Sequence, residues 1–103
     1  SCAAAFGQSP DDRRAILAIL DRQTRDWNAG NVEAFMNGYW KSDSLTFVGK
    51  VGVTYGYEAT LSNYKRRYPD RASMGTLKFN ILKLTFPSRN TAYVIGQWHL
   101  TRP

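Results

Sequence analysis

The feature that most constrains the fold is a change in hydrophobic periodicity at Met74. Before this residue, apolar side chains mostly recur at helical spacings of three and four; after it, they alternate with polar ones. The alternation predicts a strand over Met74–Phe86, a turn at 87–90 and a second long strand over Thr91–Thr101. Helices that precede a long antiparallel hairpin bury their apolar stripes against one face of it, so the pattern predicts an α+β architecture.

The first part of the chain predicts two helices that form a hairpin. Ser9 is a suitable N-cap and Pro10 suits the first helical position, and Gly30 ends the helix that follows. Asn31 caps a second, short helix, whose apolar residues at helical spacing are Val32, Phe35, Met36 and Tyr39. Because so few residues link the two helices, we expect them to pack against each other.

The middle of the chain predicts a short hairpin and a third helix. Residues 45–48 and 53–55 read as strands around a glycine-containing turn. The third helix runs from Tyr57 to Tyr68 and is ended by Pro69. We expect its Tyr64 face to be apolar and the cluster at 65–67 to lie largely on the opposite, solvated face.

Charge and length indicate one basic domain without a nucleic-acid partner. The chain has 103 residues and a formal net charge of +6, and a basic chain attracts anions. Its only dense cluster, at 65–67, has no interleaved aromatic residues of the kind that stack on bases. A solvated helix face is therefore the interpretation that we adopt.

Cysteine and histidine usage argues against a disulfide or a zinc site. Cys2 is the only cysteine and His99 the only histidine, so the paired spacings that bind zinc are absent and no cofactor is predicted. We predict a flexible segment over 1–8, followed by one domain over 9–103. The small residues of this segment are typical either of the tail of a processed secretory signal or of a disordered N-terminal overhang. We expect a secreted or periplasmic protein, with a lipid anchor at Cys2 as a variant and a cytoplasmic protein as the alternative. No apolar run is long enough to cross a bilayer.

Short motifs along the chain occur in an order that is typical of one superfamily. They are Trp27–Asn31, Phe35-Met36, Tyr39–Ser44, Phe47-Val48, Tyr55-Gly56, Tyr64–Pro69, Met74–Leu77 and Gly96–Leu100. In this order and spacing, they resemble the SnoaL-like, DUF4440-type branch of the NTF2-like superfamily. The resemblance implies a cone, in which three helices from the N-terminal half pack on a curved antiparallel sheet around a pocket. It also implies a homodimer through the sheet.

The resemblance further implies an aromatic-lined pocket for a small hydrophobic or aromatic ligand. The expected pocket residues are Trp27, Tyr39, Trp40, Phe47, Tyr55, Tyr64, Met74 and Trp98. Large aromatic residues also fill ordinary cores, however. The alternative is therefore a non-catalytic module for protein interaction or oligomerisation.

Cofactor-independent members of the superfamily use an acid/base pair in an apolar pocket, so the resemblance makes Asp43 and His99 the catalytic candidates. Asp43, at a helix-to-strand junction, also suits a turn or cap. His99 titrates near neutrality when unperturbed, but a lone strand histidine is more often structural. Asp26 and Glu58 are weaker candidates. If Asp43 and His99 both face solvent, the catalytic interpretation loses its basis.

One departure from the superfamily concerns the end of the chain. Relatives usually continue after the strand that ends at Leu100 with a further strand, whereas this sequence ends at Pro103. Either the sequence is truncated or it is a naturally short member. In both cases the last strand has a bare edge, which favours pairing or exchange of strands between two copies.

Overall fold

The computed structural model describes residues 10–50 and 52–103, so the predicted N-terminal extension at 1–8 lies outside the described residues. The described chain is α+β, as predicted. Its elements are α1 (Pro10–Asn28), α2 (Val32–Met36), β1 (Thr46–Gly49), β2 (Gly52–Tyr55), α3 (Tyr57–Arg67), α4 (Arg71–Met74), β3 (Thr76–Ser88) and β4 (Thr91–Thr101).

The predicted helical hairpin is confirmed. After α1, Gly30 turns the chain with a φ of 79°, a left-handed conformation that glycine adopts without a steric penalty. The side-chain oxygen of Asn31 then accepts the Ala34 N–H at 3.0 Å, which caps α2. The helix ends at Met36, so Tyr39 lies beyond it rather than on its last turn.

The short helix α4 was not predicted. The alternating pattern placed Met74 at the start of the long strand, but Met74 ends α4 and β3 begins at Thr76. The cause is a capping box: Asp70 Oδ1 accepts the Ser73 N–H at 2.8 Å, and the Asp70 N–H donates to Ser73 Oγ. Gly75 then turns the chain with a φ of 69°.

The strands form two separate antiparallel pairs, β1–β2 and β3–β4. In β3–β4, a register shift between Ile81 and Lys83 keeps Leu84 on the same face as Ile81. The inner face of this hairpin carries Leu77, Phe79, Ile81, Leu84, Val94, Gly96, Trp98 and Leu100. The outer face carries Lys78, Asn80, Lys83, Thr85, Tyr93, Ile95, Gln97 and His99. The alternation along β4 therefore divides its side chains between the two faces.

Side-chain hydrogen bonds hold α1 against the start of β3. The indole N–H of Trp27 donates to the Met74 carbonyl at 3.0 Å. Asn28 pairs with Leu77 as a neighbouring strand would: its Nδ2 donates to the carbonyl at 3.1 Å and its Oδ1 accepts the N–H at 2.6 Å. Farther along, Arg13 donates to the Leu84 carbonyl. These bonds place α1 along the hairpin.

The buried core centres on Trp27, Val32, Phe35, Met36, Tyr57 and Met74.

Candidate functional site

A partly open cavity of about 710 Å³ lies between α1, α3, the β1–β2 hairpin and the inner face of β3–β4. Small-molecule sites usually measure about 300–1,000 Å³ and are mostly apolar. The inner face contributes Leu77, Phe79, Trp98 and Leu100, which we call the hairpin wall. By size and lining, this cavity is the candidate functional site.

Helical spacing explains which side chains of α1 and α3 reach the cavity. On α1 they are Ile16, Ile19, Leu20, Gln23, Thr24 and Trp27, and on α3 and just after it Thr60, Asn63, Tyr64, Arg67 and Tyr68. Both sets follow spacings of three and four, so each set is one helical stripe. The β1–β2 hairpin contributes Phe47 and Thr54, which are cross-strand partners and therefore share a face.

Aromatic rings from several elements meet on the helical side of the cavity. We call this group the aromatic cluster; its members are Trp27, Phe35, Tyr39, Phe47, Tyr64 and Tyr68. The Tyr64 ring lies 5.8 Å from the Trp27 ring, 5.5 Å from Phe35 and 5.7 Å from Phe47, each in an edge-to-face arrangement. Such a pair contributes about 0.5–1.5 kcal/mol beyond the area that it buries. The cluster thus forms a continuous aromatic wall, centred on Tyr64.

Burial raises the pKa values of two phenols of this wall, Tyr39 and Tyr64. For Tyr64, burial has the largest effect on the pKa. The adjacent hydroxyl of Tyr39 raises this pKa further, and Tyr68 raises it to a smaller extent. The positive charge of Arg67 lowers it. Burial also raises the pKa of Tyr39, against the smaller effect of its hydrogen bond with Tyr64. Both hydroxyls are therefore uncharged hydrogen-bonding groups at neutral pH.

Most other polar groups of the lining already have partners within the protein. Gln23 Nε2 donates to the Phe35 carbonyl at 3.2 Å, and Thr24 donates to the Leu20 carbonyl at 3.0 Å. Asn63 Nδ2 donates to Thr54 Oγ1 at 3.3 Å. The cavity surface is consequently apolar and aromatic, with polar groups at a few fixed points.

The structure brings together only part of the predicted pocket. Trp27, Tyr39, Phe47, Tyr64 and Trp98 line the cavity. Three other expected members do not.

Trp40 is exposed and does not line the cavity, although its neighbour Tyr39 does. Tyr55 pairs with Thr46 on the face of the β1–β2 hairpin opposite to Phe47, and it is exposed there. Met74 is fully buried in the core, where it lies behind Trp27 and not in the cavity.

The two catalytic candidates lie outside the cavity. Asp43 is exposed in the turn before β1, and His99 is exposed on the outer face of β3–β4, opposite Lys78. Asp26 and Glu58 do not line the cavity either. Among the described residues, no aspartate, glutamate or histidine lines it, and the titratable side chains that do are Tyr39, Lys50, Tyr64, Arg67 and Tyr68.

Several lining residues were not predicted. The sequence predicts Phe35 and Tyr68 on helices and Phe79 on a strand, without a role in the pocket. The alternation of Leu77 and Phe79 with polar residues is the signal that places Phe79 on the inner face. Arg67 was grouped with the solvated cluster, although it follows Tyr64 by three residues and therefore shares its helical stripe.

Two other kinds of site are not found in the part of the chain that the structure describes. Residues 10–50 and 52–103 contain no group of three or more His, Cys, Asp or Glu residues that could hold a metal ion. No helix in the same ranges is long and apolar enough to span a membrane.

Comparison with known proteins identifies the family. The structure is similar to that of an NTF-2-like protein of unknown function from Shewanella oneidensis MR-1, solved at 1.70 Å resolution, with a TM-score of 0.81 and 38% sequence identity. The match covers 85% of this chain and 73% of that one. No family model and no curated protein matches the chain. Identity at this level over most of both chains, together with the shared fold, shows that the protein belongs to the NTF2-like superfamily.

Proposed function

We propose that this protein, a SnoaL-like, DUF4440-type member of its superfamily, binds a small hydrophobic or aromatic ligand in the cavity. The observation that carries the proposal is the pairing of two aromatic walls: the cluster around Tyr64 on the helical side and Phe79 with Trp98 on the hairpin side. A flat apolar molecule between these walls buries surface on both of its faces, at about 25 cal/mol for each Å² removed from water.

The proposal is for binding rather than for acid/base catalysis. Catalysis of that kind needs a group that titrates near neutral pH within reach of the substrate. The lining offers the phenols of Tyr39 and Tyr64, which are protonated at neutral pH at the ordinary pKa of 10.0 and whose pKa values burial raises further, so they act as hydrogen-bonding groups rather than as bases. Their fixed hydroxyls orient a ligand that carries a polar atom.

A neutral probe and a cavity-filling variant test the proposal. We expect naphthalene-2-methanol to bind saturably in isothermal titration calorimetry, with a stoichiometry of about one per chain. Leu20 lines the cavity, and Leu20→Trp should fill much of it and weaken binding by about tenfold or more.

The matched control is Leu17→Trp. Leu17 lies on the same helix but outside the cavity, and it is exposed, so this variant should bind the probe like the wild type. Absence of saturable binding to the wild type, or equal binding by the Leu20→Trp variant, would contradict the proposal.

A second candidate function, a homodimeric interaction module, is favoured by the outer face of β3–β4. Tyr93 is 63% exposed and Ile95 55% exposed on this face, and Leu82 is 57% exposed in the adjacent bulge. Large apolar side chains grouped on one surface are typical of an interface. We propose a second copy of the chain as the partner, because a twofold axis sets one such face against itself.

A further contact between the two copies is available at the edge of β4. Within the part of the chain that the structure describes, β4 pairs only with β3, so its other edge is open to a strand of the partner. Light scattering at high protein concentration should therefore give the mass of a dimer. Ile95→Lys should shift the mass towards the monomer, whereas Leu17→Lys, at an exposed position on α1, should not. A strict monomer at high concentration would exclude this candidate.

A further inference from the structure

The charged side chains of the cavity are all of one sign. Lys50, in the β1–β2 turn, and Arg67, at the end of α3, line the cavity, and both are exposed, which places them at its mouth. Among the described residues, no aspartate or glutamate lines the cavity to balance them. The mouth therefore has a positive potential, which attracts anions into an apolar space.

Arg67 differs from the two cations that precede it. Lys65 forms an ion pair with Glu33, and Arg66 Nη2 donates to Asn63 Oδ1 at 2.8 Å. Within residues 10–50 and 52–103, Arg67 makes neither a hydrogen bond nor an ion pair. Its planar donors thus stay available on the stripe that faces the cavity.

Arg67 also lies close to the aromatic cluster. Its positive charge lowers the pKa of Tyr64, against the stronger effect of burial, so its field reaches the Tyr64 hydroxyl. A guanidinium and a neutral phenol on the same helical stripe are both hydrogen-bond donors. Together they suit one ligand group that accepts several hydrogen bonds.

We propose that the ligand is an amphipathic carboxylate, whose apolar body lies between the aromatic walls and whose carboxylate binds Arg67 at the mouth. The inference rests on the proposed ligand-binding function and specifies its substrate class. A carboxylate matches the guanidinium fork in two parallel hydrogen bonds, and its negative charge makes these bonds stronger than those to an uncharged head group. Lys50 adds positive charge at the same mouth without a fixed bidentate geometry.

The test compares two probes of the same shape and different charge. Naphthalene-2-carboxylate and naphthalene-2-methanol share the aromatic body, and only the first is an anion at pH 7.5. Isothermal titration calorimetry should give wild-type protein a preference for the carboxylate of about tenfold or more. Arg67→Gln should abolish that preference and leave the affinity for the alcohol within about twofold. Arg67→Lys should keep part of it, because the charge remains and the fork is lost.

The matched control is Arg22→Gln, which removes the same charge from an exposed position on α1 outside the cavity. This variant should keep the full preference. Equal affinity for both probes in the wild type, or a preference that survives Arg67→Gln, would overturn the carboxylate inference while binding of the alcohol still supports the proposed function. If neither probe binds, both proposals fail. Circular dichroism of each variant confirms that the comparison is made on folded protein.

Discussion

The two aromatic walls of the cavity contain the same kinds of residue, but they are packed differently. In the aromatic cluster, Trp27 is 3% exposed, donates its N–H to the Met74 carbonyl and lies 5.0 Å from the rings of both Phe35 and Tyr68. On the hairpin wall, Trp98 is 64% exposed although it faces the cavity. One tryptophan is buried by its own chain, and the other is largely uncovered.

This difference in exposure indicates that the two walls contribute differently to the stability of the fold and to ligand binding. A ring that is already enclosed contributes to folding, because its surface is removed from water whether or not a ligand is present. A ring that stays exposed on a concave face contributes little to folding and is available to a ligand. We therefore expect the aromatic cluster, which is the helical wall of the cavity, to contribute mainly to the stability of the fold. We expect the hairpin wall to contribute mainly to ligand binding. The following variants test that division, in order of decreasing effect on stability.

The largest expected loss follows Trp27→Ala. The substitution removes a buried ring, its edge-to-face contacts and the hydrogen bond to the Met74 carbonyl. The free energy of unfolding should fall by about 3–5 kcal/mol, as for other buried aromatic truncations. Urea denaturation followed by circular dichroism measures it. A loss below about 1 kcal/mol would mean that the helical wall does not carry the fold.

Gly96→Val should have the next largest effect, because the hairpin wall depends on this position. A Cβ at Gly96 would lie 2.7 Å from Phe79 Cε1 and 2.9 Å from the Asn80 carbonyl oxygen. The resulting strain should cost about 1–3 kcal/mol in urea denaturation and displace the Phe79 ring, which weakens binding of the neutral probe.

The control for this variant is Gln97→Val, at an exposed position on the outer face. It should change neither stability nor binding appreciably, because nothing has to move to accommodate it. An unchanged affinity in the Gly96→Val variant would show that Phe79 is not part of the binding wall.

Alkaline pH should destabilise the helical wall through Tyr64. Burial raises the folded-state pKa of Tyr64 and of Tyr39 above the ordinary value of 10.0. As the pH rises through about 10, the unfolded chain releases these protons while the folded chain retains them, so stability falls. Below the pKa that the two tyrosines have in the unfolded chain, their contribution to the free energy of unfolding does not change with pH. Each phenol adds a slope of about 1.4 kcal/mol per pH unit within this window.

Urea denaturation from pH 9 to 11.5 measures that slope. It should be shallower in the Tyr64→Phe variant and unchanged in Tyr55→Phe, since Tyr55 is exposed on the face of the β1–β2 hairpin opposite to Phe47. Equal slopes in all three proteins would show that the Tyr64 hydroxyl is not held in a buried site.

Trp98→Ala should have the opposite profile to Trp27→Ala. Because the Trp98 side chain is mostly exposed, its loss should change the free energy of unfolding by less than about 1 kcal/mol. Loss of stacking area should nevertheless weaken the neutral probe by about tenfold, measured by calorimetry. A variant that binds as tightly as the wild type would remove the hairpin wall from the proposed site.

The smallest effect is expected from the double variant Asp43→Asn, His99→Gln. Both side chains are exposed and outside the cavity. Stability and probe affinity should therefore stay within experimental error in denaturation and calorimetry. A tenfold loss of affinity would place one of these residues near the ligand.

Local patterns in the sequence predicted most of the elements. The proline at the first helical position, Pro10, the cap at Asn31, the glycine at 30 and the alternation of the last two strands are signals within a few residues, and the structure agrees with them, whereas the cap predicted at Ser9 lies outside the described residues. The capping box at Asp70 is a signal of the same kind, which was outweighed by the apolar residues that follow. Helix α4 was therefore readable in principle.

The sequence predicts only part of the candidate site. A motif that contains Tyr64 or Phe47 predicts an aromatic wall, but the side of a strand or helix that faces the cavity depends on register. Tyr55 and Phe47 lie on opposite faces of the β1–β2 hairpin, and Arg67 and Arg66 differ by one helical step. A change of one position reverses or rotates the side chain, so motif membership alone does not place it.

By itself, the sequence determined the α+β class, the superfamily resemblance and most element boundaries, because caps, turns and periodicity act over a few residues. Only the tertiary structure decided which rings meet, that Trp98 stays uncovered, and that Arg67 rather than Asp43 or His99 faces the cavity. These outcomes depend on long-range contacts, such as the pairing of Asn28 with Leu77 and the bulge that keeps Leu84 on the inner face. Such contacts join residues far apart in the chain, and their geometry is set by the packing of whole elements.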